Sequence, residues 1–277
     1  VPTHLVQPRS NLTASNARGL SPSIWGDFPI EEINAYPGRG FFHYDDFTKP
    51  VVIVTPTITT QAAYGGGYKA FGSAGGTIIQ NTSRDGELEF TETDDDQAVS
   101  LAWIGLPFKI DRGQGHFCME ARLKTNTATD ARHNIFLGLL ESSTLAVGVP
   151  LADDDLLSDN NYVGFKRHGA DGDQIDTIYR ANGVGSTYVT VKADALSTAL
   201  AADTYIKLGL KYNPDTYVLS WWVNGLKLAD TKTIPEADGT DFPNDVAMGP
   251  VLAVRCVSAD DAVVTLDEWA FGQVYTG

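Results

Sequence analysis

From residue 51 onward, apolar and polar positions follow a period of two. In His116-Phe117-Cys118-Met119-Glu120-Ala121-Arg122-Leu123-Lys124, the side chains of Phe117, Met119, Ala121 and Leu123 fall on one side and those of Cys118, Glu120, Arg122 and Lys124 on the other. That alternation predicts a strand with one face in a core. Runs of the same kind predict strands at 51–54, 77–80, 87–92, 98–104, 134–141, 162–165, 176–180, 187–192, 205–212, 216–223, 251–257 and 262–274. The connections carry Gly, Pro, Asn and Asp, as in Tyr212-Asn213-Pro214-Asp215-Thr216. Asn224-Gly225, set between two strand-like runs, predicts a hairpin, because a type I′ turn needs positive φ at both central positions. Helix is expected only at 31–35 and in the alanine-rich stretch 193–202. A dozen or so short strands with regular turns predict an all-β chain, an antiparallel β-sandwich or jelly roll, rather than a βα-alternating fold. No repeat of fixed period points to a propeller or solenoid.

The first fifty residues break this pattern. Gln7-Pro8-Arg9-Ser10-Asn11, Ala17-Arg18-Gly19-Leu20-Ser21-Pro22 and Tyr36-Pro37-Gly38-Arg39-Gly40 are rich in turn formers and follow neither hydrophobic period. Trp25, Phe28, Ile30, Phe41, Phe42 and Phe47 are nevertheless scattered among them. Leaving that many large apolar groups in water is costly, so the segment either packs along its own domain or lies on a partner. The expected organisation is an extended N-terminal segment, 1–50, followed by a sandwich domain, 51–277.

Composition narrows the class. Of 277 residues, 43% are hydrophobic and 20% charged, which excludes a disordered chain. The longest apolar run, Ile135-Phe136-Leu137-Gly138-Leu139-Leu140, is strand-sized, and no membrane partner is expected. Val1 to Ser10 has no apolar stretch of the signal-peptide type. Thirty-five acidic against 20 basic residues give a formal charge of −15. That balance argues against direct nucleic-acid binding, whose affinity rests on cations neutralising phosphates. The two cysteines, Cys118 and Cys256, are too few for a disulfide scaffold and read as buried small hydrophobes. The five histidines are scattered without the pairing of a zinc or copper site. Asp94-Asp95-Asp96, Asp153-Asp154-Asp155 and Asp171-Gly172-Asp173 have the oxygen ligands calcium prefers, but none has EF-hand spacing. No metal or cofactor is expected.

Three segments in order resemble the concanavalin A-like lectin/glucanase sandwich, also met as the laminin-G-like jelly roll. His116–Lys124 followed by 134–141 is similar to that family's "FEARIK" run leading to an apolar strand. Tyr217-Val218-Leu219-Ser220-Trp221-Trp222-Val223-Asn224-Gly225 is similar to its "W–Y–V–N/D–G" hairpin, and Val264-Thr265-Leu266-Asp267-Glu268-Trp269-Ala270-Phe271 to its closing "IDYVRVY" strand. Together they cover about half of the chain. The resemblance implies a fold and leaves activity open, since the sandwich carries lectins, hydrolases, lyases and structural modules. Glu87-Leu88-Glu89-Phe90-Thr91-Glu92 echoes the E-x-D-x-x-E signature of laminarinase-type glycosidases, in which carboxylates on one strand supply nucleophile and acid/base. It has Glu for the central Asp and precedes the His116–Lys124 strand. The resemblance instead places the catalytic strand after the apolar one, where Leu137-Gly138-Leu139-Leu140-Glu141 offers one carboxylate. Glu87 and Glu89 are therefore expected on a solvated strand face, and no catalytic residues are assigned.

The overall layout, a turn-rich start with Gly40–Phe47 ("GFFHYDDF"), a Gly-rich stretch, an acidic turn and a lectin-like half, resembles bacteriophage virion proteins. That resemblance implies a non-enzymatic capsid decoration or cement protein, made in the host cytoplasm and carried on the capsid surface. Its partner would be the major capsid protein, bound as a homo-oligomer, dimer or trimer, with Arg9, Arg18, Trp25 and Phe28 in the attachment segment. The alternative is a carbohydrate-binding module with Trp221 or Trp222 against a sugar, or a glycoside hydrolase or lyase on the same fold.

Overall fold

The computed structural model describes residues 17–48, 62–63, 67–72, 76–81, 86–92, 98–105, 107–126, 133–145, 151, 161–168, 174–182, 188–195, 200–237, 241–256 and 262–276. Arg9, the expected strand at 51–54 and the acidic runs at 94–96, 153–155 and 171–173 lie outside these residues.

The N-terminal part forms two short helices, α1 (Pro22–Trp25) and α2 (Ile30–Ala35), a 3-10 turn (Pro37–Arg39) and a strand, β1 (Gly40–Asp45). The middle of the chain adds β2 (Ala62–Ala63), β3 (Tyr68–Gly72), β4 (Thr77–Asn81), β5 (Glu87–Glu92), β6 (Ala98–Trp103), β7 (Phe117–Thr125) and β8 (His133–Glu141), then a single helical turn, α3 (Ser142–Leu145). The remainder is β9 (Tyr162–Arg167), β10 (Asp176–Arg180), β11 (Val189–Lys192), β12 (Ile206–Asn213), β13 (Val218–Val223), β14 (Leu226–Thr233), β15 (Met248–Cys256) and β16 (Ala262–Val274).

These strands form two antiparallel sheets. One runs β14-β13-β12-β7-β16-β5-β4, with β1 also paired to β16; the other runs β11-β10-β9-β8-β15-β6-β3-β2. β16 is long enough to pair with β7 along one edge and to share its other edge between β5, at Ala262–Leu266, and β1, at Trp269–Val274. The sandwich expected from the period-two pattern is thus present, and residues 62–92 place strands in both of its sheets. Phe117, Met119, Ala121 and Leu123 enter the main core, as the alternation requires. They meet Leu137, Leu139, Val163 and Phe165 from the facing sheet. Asn224 and Gly225 have φ of 49° and 74°, so the β13–β14 hairpin turns through two left-handed residues.

Three differences from the sequence reading have local causes. β1 and β3 were not expected: their strands are short, lie next to turn-rich segments, and are held by long-range pairing rather than by their own periodicity. β14 is the second arm of the hairpin expected at Asn224-Gly225, but it is exposed on nearly every residue, so no hydrophobic period marks its extent. The described parts of 193–202 form bends and a turn, not helix; Asp194 sits at φ 52°, outside helical space. Cys118 and Cys256 are free, buried and in opposite sheets.

Candidate functional site

The outer face of the first sheet is covered by the N-terminal segment. Ile24, Trp25, Phe28 and Ile33 are buried there against Cys118 of β7 and Ala270 of β16, with Phe42 and Trp222 packed alongside. Glycines in the sheet make room: a Cβ at Gly209 would stand 2.4 Å from the Ile24 Cδ1, and one at Gly272 2.9 Å from the Phe28 ring. Buried carboxylates fasten the backbone. Glu120 accepts from the Ser21 N–H at 2.9 Å and from the Trp25 indole at 3.1 Å. Both oxygens of Glu268 accept from the Gly19 N–H, at 2.7 and 2.9 Å. The Lys207 ammonium, 3.8 Å from Glu120, donates to the Gly19 carbonyl. Arg18 pairs with Asp267 at 2.7 Å. Trp25 and Phe28, named on sequence grounds as attachment residues, are therefore covered by their own sandwich and are not presented to a partner. Arg18 is held by the same surface.

Trp221 and Trp222 divide between the two sides of β13. Trp221 is fully buried in the core and donates its indole N–H to the Gly164 carbonyl at 3.0 Å. Trp222 packs under the N-terminal segment. Trp221 therefore offers no aromatic surface, and Trp222 is half-buried against the segment.

Glu87 and Glu89 share the outer face of β5, since Leu88 and Phe90 enter the core. Glu87 accepts from the Tyr205 hydroxyl and lies 3.7 Å from the Lys124 ammonium. Arg122 stacks over the Tyr205 ring at 3.6 Å and bonds Asp267. Burial, and next the hydrogen bond to Glu87, hold the Tyr205 phenol well above its ordinary pKa. This is a chain of ion pairs between β5, β7, β12 and β16, arranged to hold the face together. The strand that follows the apolar β8 is β9, Tyr-Val-Gly-Phe-Lys-Arg, and it has no carboxylate.

The second sheet presents a different feature. A cavity of about 320 Å³ opens at one end of this sheet, lined by Lys69, Trp103, Ile104, Pro107, Ser142 and the glycines at 105 and 249. These come from four adjacent strands, β3, β6, β15 and β8, or from the turns that end them. Its size falls at the lower end of the ~300–1,000 Å³ of small-ligand sites. Trp103 is its wall. The indole is 8% exposed and rests on the His43 ring, centroids 4.7 Å apart, with Phe41, Tyr68 and Phe271 behind. Its Nε1 has no hydrogen-bond partner among the described residues. Gly105 lies against that edge: a Cβ there would stand 2.6 Å from Nε1. Ile104 beside it is half exposed, at 49%. Burial pushes the His43 imidazole down to about 4, so the ring behind Trp103 is neutral near pH 7.

Next to Ser142 stands Glu141. Its carboxylate accepts from Ser143 Oγ at 2.7 Å and from the Asn161 side chain at 2.8 Å. Burial alone would raise its pKa, but these bonds, with one from the Asn161 backbone, outweigh burial and hold it below the usual value. The one carboxylate expected at the end of the apolar strand is thus in place and ionised. The cavity itself was missed on sequence. Its one local signal is Trp103-Ile104-Gly105, an aromatic at a strand end running into an apolar residue and a glycine.

No family model and no curated protein matches this sequence. Solved structures show the fold. Peanut lectin in complex with a 9mer peptide superposes with a TM-score of 0.54 at 12% identity, over 86% of this chain and 99% of that one. The apo Crh5 transglycosylase gives 0.51 at 17% identity, over 85% of each chain. The endo-1,3-beta-glucanase from Streptomyces sioyaensis gives 0.51 at 11%, over 87% of this chain and 98% of that one. The chain has the concanavalin A-like lectin/glucanase sandwich. The expectation of a non-enzyme is corrected by these neighbours, two of which are glycan-processing enzymes by name, and the capsid-decoration reading gains nothing from them.

Proposed function

We propose that this chain is a carbohydrate-recognising sandwich that binds a saccharide in the cavity beside Trp103. The observation that carries the reading is the cavity's wall: a large aromatic held rigidly from behind, with an indole N–H that has no acceptor among the described residues. Flat apolar sugar faces pack on aromatic rings, and sugar oxygens accept from such a donor. A buried donor left unpaired costs about 1–3 kcal/mol, and a ligand oxygen reaching past Gly105 recovers that loss. The fold neighbours, a lectin, a transglycosylase and a glucanase by name, make a saccharide the natural class of ligand. This replaces attachment to a capsid as the preferred reading, since Trp25 and Phe28 are buried against the chain's own sheet.

Isothermal titration of the protein with a panel of oligosaccharides tests it, with Ser142→Trp, at an exposed lining position, as the cavity-filling variant. Binding that weakens about tenfold or more in Ser142→Trp, with an unchanged far-ultraviolet spectrum, supports the reading. Equal binding by the variant, or no binding of any saccharide, overturns it.

Glu141 favours a second reading, cleavage or transfer of a glycosidic bond. An ionised carboxylate one residue from the cavity lining suits a nucleophile or a base. Sugar release from a bound oligosaccharide, abolished by Glu141→Gln with binding retained, separates this reading from recognition alone.

A further inference from the structure

The side chains that line the Trp103 cavity differ in a systematic way from what a neutral sugar needs. A sugar hydroxyl both donates and accepts, and a site for neutral rings supplies both functions. Here the Lys69 ammonium and the Trp103 indole only donate, and Ser142 is the one lining side chain, among the described residues, that can also accept. None of those lining residues is a carboxylate or an amide. Glu141, the nearest acid in sequence, has its oxygens engaged by Ser143 and Asn161.

Lys69 is unusual in its setting. The chain has 35 acidic residues against 20 basic ones, and several of its lysines are tied to carboxylates or hydroxyls: Lys207 to Glu120, Lys211 to Asp27, Lys232 to Asp241, Lys166 to the Tyr188 hydroxyl. The Lys69 ammonium has no carboxylate partner among the described residues; it lies 5.3 Å from the centroid of the Phe71 ring. Lys69 and Trp103 both line the cavity, at the end of the sheet where β3 pairs with β6; Lys69, opposite Ala102, lies on the outer face, while Trp103, opposite Tyr68, turns toward the core. A half-buried cation with no carboxylate partner, on the same cavity as a buried donor with no acceptor, both among the described residues, is complementary to a group of clustered, negatively charged oxygens.

From this juxtaposition we infer that the saccharide held beside Trp103 is anionic, its acidic group on Lys69 and its ring against the indole. The inference rests on the saccharide reading above and names the ligand class of the same site. Carboxylate and sulfate share the chemistry that Lys69 selects, and the test distinguishes them.

Three galactan-type probes are titrated against the full chain: an oligogalacturonate, a sulfated galactan oligomer and a neutral galactan oligomer of equal length. The expected result is at least tenfold tighter binding of one anionic probe than of the neutral one, since charge-assisted hydrogen bonds are about twice as strong as neutral ones. Lys69→Gln is expected to remove that preference, and Lys69→Arg to keep it. Equal affinities for all three probes, or a preference that survives Lys69→Gln, overturn the inference and leave saccharide recognition standing. Failure of every probe, anionic and neutral, to bind the wild-type chain overturns both. Thermal melting of each variant confirms that the loss is of binding and not of fold.

Discussion

The two outer faces of this sandwich solve the same problem in opposite ways. Each sheet turns one face to the common core and must do something with the other. On the first sheet, the chain's own N-terminal segment lies across the strands, and Trp25, Phe28 and Ile24 close the face with the help of glycines at 209 and 272. Glu120, Glu268 and Asp267 there are bound to the segment, though the Trp222 indole under it has no hydrogen-bond partner among the described residues. On the second sheet, one end keeps a cavity bordered by a tryptophan, and there Lys69 has no carboxylate partner and the Trp103 indole no acceptor among the described residues. A buried indole without an acceptor among the described residues thus occurs on both faces, at Trp222 and at Trp103; what distinguishes the second sheet is that its indole borders a cavity.

The comparison can be broken most forcefully on the closed face. Trp25→Ala removes a buried side chain that both fills the space above β7 and donates to Glu120, and it should cost about 4 kcal/mol in a urea titration. A loss below about 1 kcal/mol would mean that the segment is not part of the cooperative fold. Glu120→Gln should cost about 3 kcal/mol, because Lys207 is then left as a buried charge without its partner. The same variant should bind saccharide as the parent does, which separates the two faces directly.

His43 joins the faces, for it belongs to the N-terminal segment yet backs Trp103. Its pKa is lowered by burial from 6.5 to about 4. In that window the unfolded chain binds a proton that the folded chain refuses. Stability contributed by the neutral ring is therefore fully present above pH 6.5, declines as the pH falls, and levels off below about 4. The loss amounts to about 2–3 kcal/mol. Denaturation midpoints measured from pH 7.5 to 4 should show a shallower decline in His43→Phe. An unchanged slope would assign the acid sensitivity to other groups. The smallest stability effect is expected at Lys69→Gln, within about 0.5 kcal/mol, as for a surface substitution. Its consequence should appear in ligand preference alone, measured by the titration described above.

Much of the architecture was legible because strand formation with one buried face is a local property. Bounds at 87–92, 176–180 and 262–274 coincide with β5, β10 and β16. The turn at Asn224-Gly225 follows from two residues that tolerate positive φ. The polar strand β14 has no such signature: its place comes from pairing with β13.

The candidate site was not legible in the same way. Glu87, Trp221 and Trp222 were singled out for their residue types, and each is engaged by residues more than 50 positions away: Tyr205, the Gly164 carbonyl, and Ile24 with its neighbours on the N-terminal segment. Trp103 was one more apolar residue at a strand end until β3, β8 and β15 brought Lys69, Ser142 and Gly249 around it. The period of side chains along a strand is set by backbone geometry and can be read from neighbours in sequence. Whether a tryptophan, a lysine or a glutamate finds a partner is decided by which distant strands lie next to it, and only the packed sandwich supplies them.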